Sequence, residues 1–222
     1  MTHRHKNGVI LDIDGTLVDS NDAHTKAWIE VLAEHGYHPA YERVRGLIGM
    51  GADNLLPTLI GLPKDSPEGK AITEQRAALF KERYLHHLQP FPQTKELLQH
   101  MHDRGLKLAV ATSAQPDELR VLLQIIGATD LIEEQASAGD AKKSKPNPDI
   151  MQAALERTGF LPAEVVMLGD TVYDIESARK AGVDTIAFRS GGWKDLDLMD
   201  AIAIYDGPAD LLAHYDSSPL GK

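Results

Sequence analysis

Gly8-Val9-Ile10-Leu11-Asp12-Ile13-Asp14-Gly15-Thr16 is the stretch on which the reading of this chain turns. A short β-branched run ends in two carboxylates and a glycine. Val9–Ile13 reads as a fully buried strand, and the acids stand at its carboxyl end. Gly15 frees the backbone to turn sharply just after Asp14. Asp12 and Asp14, two apart in an extended run, share one face of the strand end.

Working outward, four further apolar runs read as buried strands: Leu106–Ala111, Val165–Leu168, Thr185–Phe188 and Ala201–Ile204. Helical patterns alternate with them at Lys95–Arg104, Asp117–Ile126, Pro148–Thr158, Tyr173–Ala181 and Pro208–His214. Strands that alternate with helices predict an α/β fold with a doubly wound, Rossmann-like parallel sheet. One interval breaks the rhythm. Between Ser20 and Leu88 only helical patterns occur, Ala23–His35 and Ala71–His87 among them, with Asn21 or Asp22 as N-cap of the first. That block is too long for a crossover helix. It predicts an inserted all-helical cap domain over residues 20–88, with 1–19 and 89–222 forming the catalytic core. Gln89-Pro90-Phe91-Pro92 marks the return to the core, because two prolines cannot continue a helix.

Composition narrows the function classes. The chain has 222 residues, 42% of them hydrophobic, 25% charged and none cysteine. Disulfide scaffolds, thiolate metal sites and cysteine nucleophiles are excluded. Thirty-three acids against 23 bases give a net charge of −10, which argues against nucleic acid and anionic membranes as partners. The N-terminus is too short and too charged for a signal peptide, and no apolar run reaches membrane length. A cytoplasmic location fits these features. His3 with His5, and His100 with His102, lack a third ligand and read as surface residues.

In open α/β sheets ligands bind beyond the carboxyl ends of the strands. The residues expected there are Asp12, Asp14 and Thr16 after the first strand, Thr112 and Ser113 after the second, and Gly169-Asp170-Thr171 with Asp174 after the third. Lys145, in Lys142-Lys143-Ser144-Lys145-Pro146, joins them. Neighbouring carboxylates repel, and a bound divalent cation relieves that repulsion. Hard oxygen ligands without His or Cys beside them suit Mg²⁺. Each of these features alone is an ordinary turn, cap or surface residue. Their joint occurrence, in order and at strand ends, is what points to a site.

The stretch LDIDGTLVDS resembles the first motif of the haloacid dehalogenase superfamily, DxDGTLxDS. Thr112 resembles the second motif's hydroxyl, Lys145 in KPNPDI the third motif's lysine, and GDTVYD (169–174) is similar to the fourth, GDxxxD. The resemblance covers essentially the whole chain. It implies that Asp12 is a nucleophile forming an aspartyl-phosphate and that Asp14 is the general acid and base. It further implies that the Asp12 carboxylate, the Asp14 main-chain carbonyl and Asp170 hold Mg²⁺, and that Thr112, Ser113 and Lys145 bind the phosphoryl group. Asp174 and Thr16 would support the metal or the lysine from behind.

The implied activity is hydrolysis of a small phosphorylated metabolite, phosphoglycolate-like or sugar-phosphate-like. His24, Arg45 and Asn54 of the helical block are candidate substrate contacts. Mutase chemistry of the β-phosphoglucomutase type is the alternative, because His24 and Trp28 match that family's pattern. However, Gly49 stands where its arginine grips a second phosphate, and RGLIGMGADNLL looks like the caps of phosphoglycolate phosphatase-like hydrolases. Dehalogenation fits less well, since those enzymes lack an acid at the position of Asp14. A binding module that has lost turnover would not need the Asp12–Asp14 pair. Gly49-Met50-Gly51 is not a dinucleotide fingerprint, because no strand precedes it and Asn54 replaces the third glycine.

Overall fold

The computed structural model describes residues 6–221. His3 and His5 and the extreme ends of the expected core lie outside them. Among the described residues there are six strands: β1 (Gly8–Leu11), β2 (Lys107–Ala111), β3 (Glu134–Ala136), β4 (Val165–Gly169), β5 (Asp184–Phe188) and β6 (Ala203–Tyr205). They form one sheet in the order β3-β2-β1-β4-β5-β6, and every adjacent pair is parallel. This is the doubly wound order whose topological switch point lies between β1 and β4.

Nine α-helices accompany the sheet among the described residues. α1 (Asn21–Glu34), α2 (Tyr41–Arg45), α3 (Ala52–Ile60) and α4 (Pro67–Arg83) all lie between β1 and β2. α5 (Thr94–Asp103), α6 (Pro116–Ile126), α7 (Asp149–Thr158), α8 (Val172–Lys180) and α9 (Pro208–Ala213) alternate with the later strands. No helix among the described residues is long and apolar enough to cross a membrane.

Alternation along each strand feeds two cores. Val9, Leu11, Val110 and Leu168 face the side covered by Leu97 and Met101 of α5 and Leu119 and Leu122 of α6. Ile10 and Met167 face the opposite side, against Ile150 and Met151 of α7 and Ala178 of α8. A third cluster, with Trp28, Leu32, Val44, Leu56 and Ile72 among its members, belongs to α1–α4 and the turns between them. The inserted helices therefore bury their apolar faces largely against one another.

Several boundaries differ from the sequence reading. β3 was not expected: its Glu-Gln-Ala sequence carries no apolar run, and only Ala136 is buried. β6 starts two residues later than predicted. α4 starts at Pro67 rather than Ala71. Ser66 caps it by accepting from the Gly69 amide at 3.0 Å and Pro67 occupies its first position, so the Ser-Pro step is the helix's start.

Candidate active site

The sheet ladder continues one residue beyond β1 and β2. The Asp12 amide donates to Leu168 O at 2.9 Å, and the Thr112 amide to Ala136 O at 3.1 Å. Both side chains are thereby fixed at the carboxyl edge, Asp12 beside the switch point. The chain then turns at Gly15, whose φ is +79°. A Cβ there would lie 2.1 Å from Asn21 Nδ2 and 2.2 Å from Asp170 Oδ2, so only glycine fits.

Around this turn the predicted residues converge. Lys145 Nζ donates to Asp12 Oδ1 at 2.5 Å and stands 2.7 Å from Asp174 Oδ1. Thr16 Oγ1 lies 2.9 Å from Asp170 Oδ1 and 3.2 Å from Asp12 Oδ2, within reach of either acceptor. Asn21 Nδ2 donates to Asp170 Oδ2 at 3.0 Å. Asn21 or Asp22 was expected to cap α1; Ser20 occupies the cap position, and the Asn21 side chain is turned onto the site. Asp174 serves two partners. Its Oδ2 accepts from the Thr171 amide and hydroxyl in a capping box at the start of α8, which aims Oδ1 at Lys145.

Asp12, Asp170 and Asp174 are all buried, and an oxygen of each lies within 4.8 Å of the others. Burial pushes the Asp12 carboxyl up to about 7 even though Lys145 pulls against it. It pushes Asp170 well above the usual carboxylate range, reinforced by Asp174 and Asp12. Lys145 is raised despite its own burial, because two carboxylates hold its proton. Three buried acids around one lysine leave excess negative charge in a site with neither Cys nor a free imidazole. That donor set fits a hard divalent cation.

Asp14 is built differently. Its Oδ1 accepts from Ser20 Oγ at 2.6 Å and lies 2.9 Å from His24 Nε2. Arg76 of α4 bonds His24 Nδ1. A guanidinium cannot accept, so Nδ1 carries no proton and His24 donates its Nε2–H to Asp14. Phe80 stacks on the imidazole at 4.0 Å and fixes its plane. Burial works against ionisation of Asp14, but His24 and Ser20 outweigh it and hold the carboxyl below its ordinary value. Asp14 thus stands apart from the three acids that approach one another. Asp12 and Asp14 were expected to share one face of the strand end; β1 ends at Leu11, and the Asp12 carboxyl is turned to Lys145 while that of Asp14 is turned to Ser20 and His24.

Asp12, Asp14, His24, Thr112 and Ser113 line one cavity of about 280 Å³ between the inserted helices and the sheet edge. Arg45 and Asn54, expected as substrate contacts, are not in its wall. Arg45 Nη2 donates to Gly191 O at 2.7 Å and its Nε to Asp22. Asn54 Nδ2 donates to Ser144 O and Lys145 O, and Asp53 accepts from the Ser144 amide and hydroxyl. The start of α3 therefore clasps the loop that carries Lys145. Arg76, Asp53 and Glu118 were missed in the sequence. As polar residues in or beside helical patterns they carry no local signal.

The family model described as haloacid dehalogenase-like hydrolase matches residues 9–188. N-acetylmuramic acid 6-phosphate phosphatase of Pseudomonas aeruginosa is 31% identical over 82% of this chain and 81% of its own length. A phosphoglycolate phosphatase of Rhodospirillum rubrum is 30% identical over 91% of this chain and 88% of its own. The crystal structure of a hydrolase from Pseudomonas syringae superposes with a TM-score of 0.88 at 28% identity, covering 96% of this chain and 99% of that one.

Proposed function

The chain belongs to the haloacid dehalogenase-like hydrolase family, and on that premise we propose that it hydrolyses a small phosphate monoester through an aspartyl-phosphate on Asp12. The observation that carries this reading is the Lys145 ammonium set between Asp12 and Asp174, with Asp12 in the cavity wall. An acid whose carboxylate must attack phosphorus needs a cation that holds it ionised in a buried place, and Lys145 supplies one. Thr112 and Ser113, in the same wall, would donate to phosphoryl oxygens.

Mg²⁺ fits the donor set. Asp12, Asp170 and the main-chain carbonyl of Asp14 would hold it, and when bound it offsets phosphoryl charge. The protein's own groups do the rest. Asp12 attacks the phosphorus in line, the P–O bond to the alcohol breaks, and Asp14 delivers a proton to the departing oxygen. Asp14 then takes a proton from the water that attacks the aspartyl-phosphate, releasing inorganic phosphate. His24 keeps Asp14 oriented between the two transfers. Residues 20–88 act as a cap that encloses the alcohol portion and limits the entry of bulk water.

Hydrolysis is favoured over transfer between sugar hydroxyls by Gly49. Its φ is +104°, and a Cβ there would stand 2.8 Å from Thr171 Cγ2. No arginine fits where a mutase needs one for its second phosphate. With Mg²⁺ the protein should release inorganic phosphate from p-nitrophenyl phosphate and lose that activity in EDTA. From β-glucose 1-phosphate with a trace of the 1,6-bisphosphate, phosphorus NMR should show no build-up of glucose 6-phosphate. Glucose 6-phosphate forming faster than inorganic phosphate would overturn the reading.

A further inference from the structure

Glu118 of α6 is a buried acid that the chemistry above does not use. It is 4% exposed, it forms part of the wall of the cavity that holds Asp12 and Asp14, and its Oε1 is buried without a hydrogen-bond donor among the described residues. Arg76, in the same wall, has the complementary deficiency. Its guanidinium bonds His24 and lies over the rings of Trp28 and Phe80 at 5.3 and 4.9 Å, while its Nε is buried without an acceptor. Buried polar atoms are seldom left unpaired. Both residues line the cavity that receives the substrate, and their opposite charges act on one another while each keeps one unpaired polar atom.

We infer that Glu118 and Arg76 read the alcohol portion of the substrate, and that this portion is a neutral, hydroxyl-bearing one: a phosphorylated sugar or polyol, not the phosphate ester of a carboxylated alcohol. The inference rests on the phosphatase reading and narrows it. A hydroxyl donates and accepts at once, so it can give its proton to Glu118 and accept from the guanidinium of Arg76. Rotation about the last torsion of Glu118 exchanges its two oxygens, so either one can be presented.

A carboxylate accepts only. It would satisfy Arg76 and leave Glu118, with Asp14 beside it, facing a third negative charge. An ammonium group donates only and would leave Arg76 unpaired. Charge points the same way. Apart from Asp12, the wall carries Asp14, Asp53, Asp65 and Glu118 against Lys64, Arg76 and Lys142, an excess of one negative charge that disfavours a second anion on the substrate. Burial pushes the Glu118 carboxyl up from its ordinary value, as expected of an acid that still lacks a donor. Trp28, Ile48 and Met50 add apolar surface against which the carbon skeleton of a sugar can pack.

The test is a comparison of kcat/KM with Mg²⁺ for glucose 6-phosphate, fructose 1-phosphate and a tetritol phosphate against phosphoglycolate and 3-phosphoglycerate, with p-nitrophenyl phosphate as the reference. The wild type should prefer the best polyol ester to either carboxylated ester by at least about tenfold, because a site built to pair a hydroxyl rejects analogues that lack one. Glu118→Gln, which removes the charge, should lower kcat/KM for the polyol esters chiefly through KM and raise it for phosphoglycolate.

A wild type that prefers phosphoglycolate overturns the inference, and that result needs no variant to fold. So does a Glu118→Gln protein whose activities toward all esters fall in parallel, which would mark Glu118 as structural only. Failure of the wild type to hydrolyse p-nitrophenyl phosphate would instead overturn the phosphatase reading, and this inference with it.

Discussion

Lys145→Met tests how the buried charge of the site is held. The substitution keeps an unbranched side chain, one atom shorter, and removes its ammonium. Lys145 is only 2% exposed, and it contacts Asp12 at 2.5 Å and Asp174 at 2.7 Å. Breaking a buried pair by removing one partner costs about 3–5 kcal/mol, because the other charge stays buried and uncompensated. Here Asp12 and Asp174 are orphaned together, with Asp170 beside them. For a domain of this size that corresponds to a fall in Tm of roughly 10 °C.

The cost must depend on pH. Asp12 already ionises near 7 when folded against an ordinary 3.8, and losing Lys145 raises it further. A folded-state carboxyl pKa above the unfolded value means that the folded state binds more protons, so stability falls as pH rises from about 4 through the folded-state pKa. The deficit should therefore be small at pH 4.5 and full at pH 8. Mg²⁺ should restore part of it, by about 2.7 kcal/mol at a hundred times its Kd. Urea unfolding in EDTA and in Mg²⁺ at both pH values measures this. A variant as stable as the wild type in EDTA at pH 8, or a deficit that grows on acidification, would refute the reasoning.

Other substitutions probe the remaining parts. His24→Ala removes the donor that holds the Asp14 carboxyl low, so the Asp14 ionisation, followed by carboxyl-carbon NMR, should move up and kcat should fall by about a hundredfold. An unmoved Asp14 signal would contradict the assignment. Asp53→Ala and Asn54→Ala loosen the clasp on the Lys145 loop at about 0.5–1.5 kcal/mol per lost hydrogen bond. Each should weaken inhibition by inorganic phosphate several-fold while shifting Tm by only a few degrees. Unchanged phosphate inhibition would show that the clasp does not position Lys145.

Much of the fold and of the polar site can be read from the chain, for identifiable reasons. β1, β2, β4 and β5 announce themselves as apolar runs because both faces of a parallel sheet are covered, and the site residues follow from being what stands at their ends. β3 does not, since an edge strand with one buried residue in three has no pattern to display. The helices of the insertion are harder to place than their existence. Ser66 and Pro67 read equally well as a break and as a helix start, and only packing of Ile72 and Phe80 decides.

What cannot be read is which polar groups meet across the cleft. Arg45 and Asn54 look like substrate contacts because they are polar residues of the inserted helical block, yet Arg45 bonds Asp22 and the Gly191 carbonyl, and Asn54 bonds the loop of Ser144 and Lys145. Arg76 meets His24 from 52 residues away and Glu118 joins them from a third element. Such encounters are set by tertiary structure and leave no local trace.

The central claim is that Asp12 carries the phosphoryl group. Quenching the enzyme during turnover with borohydride reduces an acyl phosphate to the alcohol, and peptide mapping then locates the modified residue. Conversion of Asp12 to homoserine, dependent on substrate and Mg²⁺ and absent from Asp12→Asn, is the predicted result. An unmodified Asp12 in an enzyme caught in full turnover, with Asp12→Asn still hydrolysing the ester, would contradict it.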